Sequence, residues 1–185
     1  IDEIVYDLYD ISEEDRELIE RELGDRPKET VWPEMAGKSR EEKRLEHVER
    51  LLSYFVKTIV EEDADGIVPL VQCGDEPTML QRVREKLDET FGADRGHEIE
   101  VEISNELGSR KDVEYWLQRN YFRFHIGLYK RRPIFWHISS DDRSFGAIVH
   151  YHRFDHDALL KLRAHYLSSF MRRLKTEMGR LRGDK

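Results

Sequence analysis

With 185 residues, of which 38% are hydrophobic and 38% charged, the chain can bury one good core or two small ones, and much of its charge belongs on long solvated helices. The single Cys73 excludes an internal disulfide framework and a cysteine-based zinc cluster and fits a cytoplasmic protein; no membrane span is visible, and the start at Ile1 without a positive-then-apolar leader reads as an internal fragment. The net charge of −8 hides two opposed segments: residues 1–108 hold 14 Lys and Arg against 31 Asp and Glu, and residues 109–185 hold 17 against 8.

In chain order, Ser12 is placed to cap a helix running to Leu23, with Asp15 as its capping-box partner and Gly24 as the stop. Asp25 to Lys38 reads as a linker carrying Pro27, Pro33 and Gly37, with Trp32 and Met35 as anchors. The expected organisation is therefore an N-terminal helix and linker over residues 1–38, followed by a helical module over 39–185. Ser39 and Glu42 form a second capping box, opening a helix to about Glu61 with Leu45, Val48, Leu52, Phe55, Val56 and Ile59 at three-four spacing. Asp63 to Gly66 is a turn, and Ile67 to Val71 a short strand that Pro69 confines to a sheet edge. A helix from about Pro77 to Phe91 has Met79, Leu80, Val83, Leu87 and Phe91 on one side. Glu98 to Leu107 reads either way, because Ile99, Val101 and Ile103 alternate as a strand would.

Ser109, with Asp112 three residues on, is expected to cap a helix to Lys130 that turns Val113, Trp116, Leu117, Phe124 and Leu128 inward. Pro133 stops it. Ile134, Trp136 and Ile138 then alternate with Phe135, His137 and Ser139; after a polar turn at Ser140 to Ser144, the alternation resumes with Phe145, Ala147, Val149 and Tyr151, giving a β-hairpin over about 133–152. Asp155 caps a last helix over about 157–182, where Leu160, Leu167, Leu174 and Leu181 recur every seven residues, with Ala164, Met171 and Met178 between them. That pattern reads as a coiled-coil seam in need of a partner helix, supplied by the Ser39 to Glu61 helix or by a segment beyond Lys185; the alternative is a core helix that repeats by chance. The fold class that results is α+β, mainly α: long helices packed with a hairpin and a short edge strand.

A basic second segment is the footprint of a phosphate-contacting surface, while the acidic first segment would repel a duplex and must face elsewhere. The cations expected to contact DNA are Arg119 and Arg123 on the helix, Lys130, Arg131 and Arg132 at its end, Arg143 at the hairpin tip and Arg153 at the hairpin exit, interleaved with Tyr129, Phe135 and Trp136. The competing explanation is that helix-end cations merely complement the helix dipole. His150 and His152 share a strand face near Asp155, His156 and Asp157, yet the trajectory past the helix cap separates them, so no metal ligand set is assigned. There is no Gly-x-Ser-x-Gly elbow, no phosphate-binding loop and no Cys-His pair, and no catalytic residue is assigned.

The run KRRPIFWHISSDDRSFGAIVHYHRFD, Lys130 to Asp155, resembles a signature near the C-terminal end of adenine-specific DNA methyltransferases of the BREX phage-defence type and of related single-chain type II restriction-modification enzymes. IDEIVYDLYDISEEDRELIE at Ile1 to Glu20, LLSYFVKTIVEEDADGIVPL at Leu51 to Leu70 and VREKLDETFG at Val83 to Gly92 resemble further segments of that family in the same order, so the likeness covers nearly the whole chain. It tips Glu98 to Leu107 toward helix. Lys57 to Glu62 replaces the family's glycine-arginine-tyrosine element, and the Asn-Pro-Pro-Tyr motif and glycine-rich loop that hold adenine and S-adenosylmethionine have no counterpart here. The resemblance therefore implies a non-catalytic target-recognition or helical spacer module, cofactor-free itself. Its expected partners are double-stranded DNA and a methyltransferase domain of the parent chain that uses S-adenosylmethionine. The alternative is a protein-interaction module of a defence complex that docks through the heptad helix.

Overall fold

The computed structural model describes residues 12–23, 35–108 and 112–183, and falls into two units, residues 1–43 and 44–185. In the first unit, helix α1 (Glu13–Leu23) starts as the sequence predicts: Ser12 Oγ accepts from Asp15 N at 3.2 Å and donates to Asp15 Oδ2 at 2.7 Å. Gly24, Pro27, Trp32 and Pro33 lie outside the described residues. Helix α2 (Arg40–Glu62) opens on the expected reciprocal box, Ser39 N donating to Glu42 Oε2 at 2.7 Å and Glu42 N to Ser39 Oγ at 3.2 Å.

The second unit is built around a three-stranded antiparallel sheet of order β1-β3-β2, formed by β1 (Ile67–Pro69), β2 (Phe135–Ser139) and β3 (Gly146–His150). Pro69 ends an edge strand, where its missing N–H costs no ladder bond. The register pairs Phe135 with His150, Trp136 with Val149 and Ile67 with Val149. Because side chains alternate across a strand, Val68, Phe135 and Ile148 share one face, and Ile67, Ala147 and Val149 share the other. Both faces of β3 are covered, so Gly146 to Val149 are all buried. At Gly146 a β-carbon would stand 3.1 Å from His137 Nε2 and 3.2 Å from Leu70 Cδ1, and glycine lets these neighbours close in.

On the first face lies the larger core, where Leu52, Phe55, Val56, Ile59 and Val60 of α2 meet the helices α3 (Met79–Phe91), α4 (Ala93–Leu107), α5 (Val113–Arg119) and α6 (Tyr121–Leu128). Thr78 and Gln81 form a second reciprocal capping box, at the start of α3, one that sequence reading passed over. Phe91 of α3 is exposed rather than inward, since the helix ends there. The ambiguous stretch is helical: in α4, Ile103 and Leu107 lie four apart in the core while Val101 faces solvent, so the apparent strand alternation was coincidental.

The long helix expected up to Lys130 is divided. Asp112, not Ser109, caps α5, accepting from Tyr115 N at 2.7 Å, while Ser109 lies outside the described residues. At Asn120 the backbone departs from helical φ, to −110°, and α6 restarts after it. Phe124 and Leu128 are consequently only half-buried, and Tyr121 and His125 take the interior positions.

On the second face, a helix spanning 156–183 runs as α7 (His156–Lys161), a π-helical stretch (Leu162–Leu167) and α8 (Ser168–Gly183). Asp155 caps it, accepting from Ala158 N at 2.8 Å. Its buried side chains are Ala158, Leu162, Tyr166 and Phe170, which close the second core against Ile67, Cys73, Phe145, Ala147 and Val149. Their strict four-residue spacing would drift about 40° per step on a 3.6-residue helix. The π-helical stretch, where Ser168 N bonds back to Arg163 O, absorbs that drift by widening the turn. The heptad residues Leu160, Leu167, Met171, Met178 and Leu181 are thus exposed, and only Leu174 of the seam is half-buried.

Candidate nucleic-acid interface

The end of α6 carries the densest cationic turn, and its backbone is unusual. Arg131 N donates to Ile126 O at 2.9 Å and Lys130 N to Gly127 O at 3.3 Å, which is the Schellman pattern with Lys130 at the left-handed position. Lys130 has φ +50° and Arg131 φ +66°. Glycine or asparagine normally fills such sites, because a β-carbon there costs roughly 1–2 kcal/mol per residue. Arg132 N then bonds Tyr129 O at 2.9 Å and leads through Pro133 into β2.

His125 fastens this turn to the sheet. Its Nε2 accepts two backbone donors, Ile134 N and Phe135 N, both at 3.1 Å, so the ring is neutral with its proton on Nδ1. Burial lowers its pKa to about 4. The ring lies among Tyr121, Tyr129 and Phe135, with centroids at 5.5, 4.6 and 5.2 Å. Trp116 sits beside Tyr121, edge-on at 5.7 Å, and gives its indole N–H to Glu49 at 2.9 Å. Sequence reading missed His125; the available signal was its i+4 step from Tyr121 after an asparagine that resets the helix.

The hairpin tip repeats the device. Asp142 accepts from Ser140 Oγ at 2.6 Å, Ser144 N at 3.0 Å and Ser144 Oγ at 2.9 Å, and these donors lower its pKa to about 2. Arg143 beside it is left-handed, with φ +58°. It lies near enough to His137 that burial first, then the charges of Arg143 and Arg119, lower that imidazole's pKa. His137 therefore marks where the end of α5 and the hairpin tip converge, with Phe122 edge-on to its ring at 6.2 Å.

Arg119, Arg123, Lys130, Arg131, Arg132 and Arg143 are all exposed. Among the described residues, none of the six has a carboxylate within ion-pairing distance. Arg153 is used differently. Its Nη1 donates to Asp63 O at 2.7 Å and its Nη2 to Glu61 O at 2.9 Å, satisfying carbonyls at the end of α2. Trp136 and Tyr151 stack on each other with centroids 5.1 Å apart and remain exposed. His150 and His152 approach to a 5.9 Å centroid separation, while His156 Nδ1 lies 3.7 Å from Asp157 Oδ1; among the described residues no three His, Cys, Asp or Glu side chains gather as metal ligands. No described helix is long and apolar enough to cross a membrane.

No known family profile matches the chain. It is 31% identical over 101 residues, 51% of its length, to the adenine-specific methyltransferase PglX of Lacticaseibacillus casei (strain Zhang), of which the match covers 8%. It is 26% identical over 132 residues, 64% of its length, to the adenine-specific methyltransferase BrxX of Escherichia coli O9:H4 (strain HS), of which the match covers 11%. The chain thus corresponds to about a tenth of the length of these curated relatives, and it is related over part of its own length to adenine-specific methyltransferases.

Proposed function

We propose that this chain is a non-catalytic module of an adenine-specific DNA methyltransferase serving phage defence or restriction-modification, and that it holds double-stranded DNA in place for target recognition or spaces the recognition lobe. The observation that carries this reading is the group of six exposed cations that have no carboxylate partner among the described residues. Three of them, Lys130, Arg131 and Arg143, occupy left-handed backbone where glycine is cheaper. A cation placed at such a site three times indicates that the charge itself is wanted. Phosphate oxygens are the ligands such exposed guanidinium and ammonium groups suit, and contacts of this kind fix register on a duplex. Methyl transfer from S-adenosylmethionine belongs, in this reading, to a separate domain of the parent chain.

The test is binding of a fluorescent duplex to the 185-residue protein over a range of salt concentrations. The logarithm of affinity is expected to fall linearly with the logarithm of salt. Lys130→Gly, Arg131→Gly and Arg143→Gly together should flatten that slope by about 2–3, since each phosphate contact contributes about 0.9, without loss of thermal stability. An affinity indifferent to salt, or unaltered in the triple variant, refutes the proposal.

A further inference from the structure

We infer that the outer face of α8 is a docking surface for an acidic amphipathic helix of a partner protein. The helix 156–183 has two distinct faces. Tyr166 and Phe170 bind it to the sheet, Tyr166 Oη donating to Ile67 O at 3.0 Å and Phe170 meeting Phe145 at 5.6 Å. From Lys175 to Arg182 every side chain is exposed, so the last turns of α8 lack packing among the described residues. Along this length Leu167, Met171, Met178 and Leu181 are 38%, 46%, 53% and 74% exposed. With the half-buried Leu174 they follow the alternating three- and four-residue steps of a two-helix seam. The π-helical stretch is what makes both faces compatible, since it keeps Tyr166 and Phe170 on the sheet while α8 presents the seam outward.

Charge selects the occupant. From Ser168 to Gly183, Arg172, Arg173, Lys175, Arg180 and Arg182 stand against Glu177 alone. Glu177 is already engaged by Arg173, at 3.8 Å. A second copy of this helix would bring two cationic surfaces together, whereas Glu or Asp beside the partner's apolar stripe would meet Lys175 and Arg182 at the seam's edge. A nucleic acid would satisfy the cations but leave the Leu and Met stripe in water, so a protein helix fits better. This inference does not depend on the DNA reading, because none of its residues belongs to the six cations of the proposed interface.

The experiment titrates the 185-residue protein with a fluorescein-labelled four-heptad synthetic helix carrying Leu at both seam positions and Glu on both flanks. Saturable binding is expected, about tenfold or more tighter than to the same helix with Lys flanks, with the gap narrowing as salt rises. Met178→Ser with Leu181→Ser should weaken binding about tenfold or more without shifting the melting temperature, because both side chains are exposed. No binding, equal binding of the Glu- and Lys-flanked helices, a sedimenting dimer that the double Ser variant dissociates, or displacement of the Glu-flanked helix by duplex DNA would each overturn the assignment.

Discussion

Arg82 reaches Asp63 at 2.7 Å and also binds Glu76, Arg84 holds Glu100 through two nitrogens, and Lys86 lies 3.0 Å from both Glu62 and Glu89, whereas the six cations between Arg119 and Arg143 face no described carboxylate. These groups belong to one folded unit and are read by the same solvent. The difference lies in what surrounds them. In the acidic segment Arg82, Arg84 and Lys86 tie helix to helix or helix to loop. In the basic segment four of the six sit on turns that are themselves tied down, by the neutral His125 at the end of α6 and by the Asp142 carboxylate with Ser140 and Ser144 at the hairpin tip. Structural work falls to the paired cations, and the six proposed above for DNA contact take no part in it.

Breaking the paired side should do the most damage. Asp63 Oδ1 accepts from the backbone N–H groups of Asp65, Gly66 and Ile67, at 3.1, 2.8 and 3.3 Å, while Oδ2 takes Arg82. Burial pushes its pKa up, but the hydrogen bond and charge of Arg82 and the remaining donors bring it below the ordinary value. Asp63→Ala takes an acceptor from all of these donors, of which only Ile67 N, with Asp65 Oδ1 at 3.0 Å, and Arg82, with Glu76, keep another, and should cost about 3–5 kcal/mol in urea denaturation.

Acid should next distinguish the neutral fastening from the charged one. His125, with a pKa near 4 against the ordinary 6.5, stays unprotonated in the fold at pH values where the unfolded chain takes up the proton. Its contribution is fully present above about pH 6.5 and is lost progressively as pH falls to about 4, by roughly 3 kcal/mol in all. His125→Gln retains an acceptor but does not titrate, so the difference in stability between wild type and variant should vary with pH across that window and level off on either side of it.

A smaller effect tests the exception to the comparison. Arg153 belongs to the basic segment yet is spent on the carbonyls of Glu61 and Asp63. Arg153→Ala should cost about 1–3 kcal/mol and leave the salt slope of DNA binding almost unchanged. Arg123→Ala should do the reverse, with thermal stability within about 0.5 kcal/mol of wild type and a shallower salt slope. Lys130→Gly is expected to be neutral or to raise stability by about 1 kcal/mol or less, since relief of the left-handed strain opposes the entropy of glycine.

Local rules made the serine caps of α1 and α2, the edge strand at Pro69 and the hairpin legible, because each depends on residues a few positions apart. The mainly α, α+β class followed from the same periodicities. Long-range partners were hidden. Nothing near Arg153 in sequence announces that the end of α2 will sit beside it, about ninety residues back along the chain, and its guanidinium looked as available as that of Arg143. The heptad pattern was real as a spacing, but which stripe of the helix meets the sheet depended on a change of helical pitch that no residue in LRAHYL (Leu162 to Leu167) signals. The seven cations expected to contact DNA, Arg153 among them, were named from charge and position alone. That six of them have no carboxylate partner among the described residues, and that three of these lie on left-handed backbone, required the fold.

The wide turn at Leu162 to Leu167 has an evolutionary consequence. A helix with uniform pitch welds the orientation of its outer half to the packing of its inner half, so any change of partner would demand a rebuilt core. Here a single residue gained or lost within one loosened turn would swivel the distal stretch about the axis by about 100°, and of the second core's buried side chains only Phe170 lies on that stretch and would have to repack. Related chains could in this way turn a different stripe of α8 outward while the strands stay as they are.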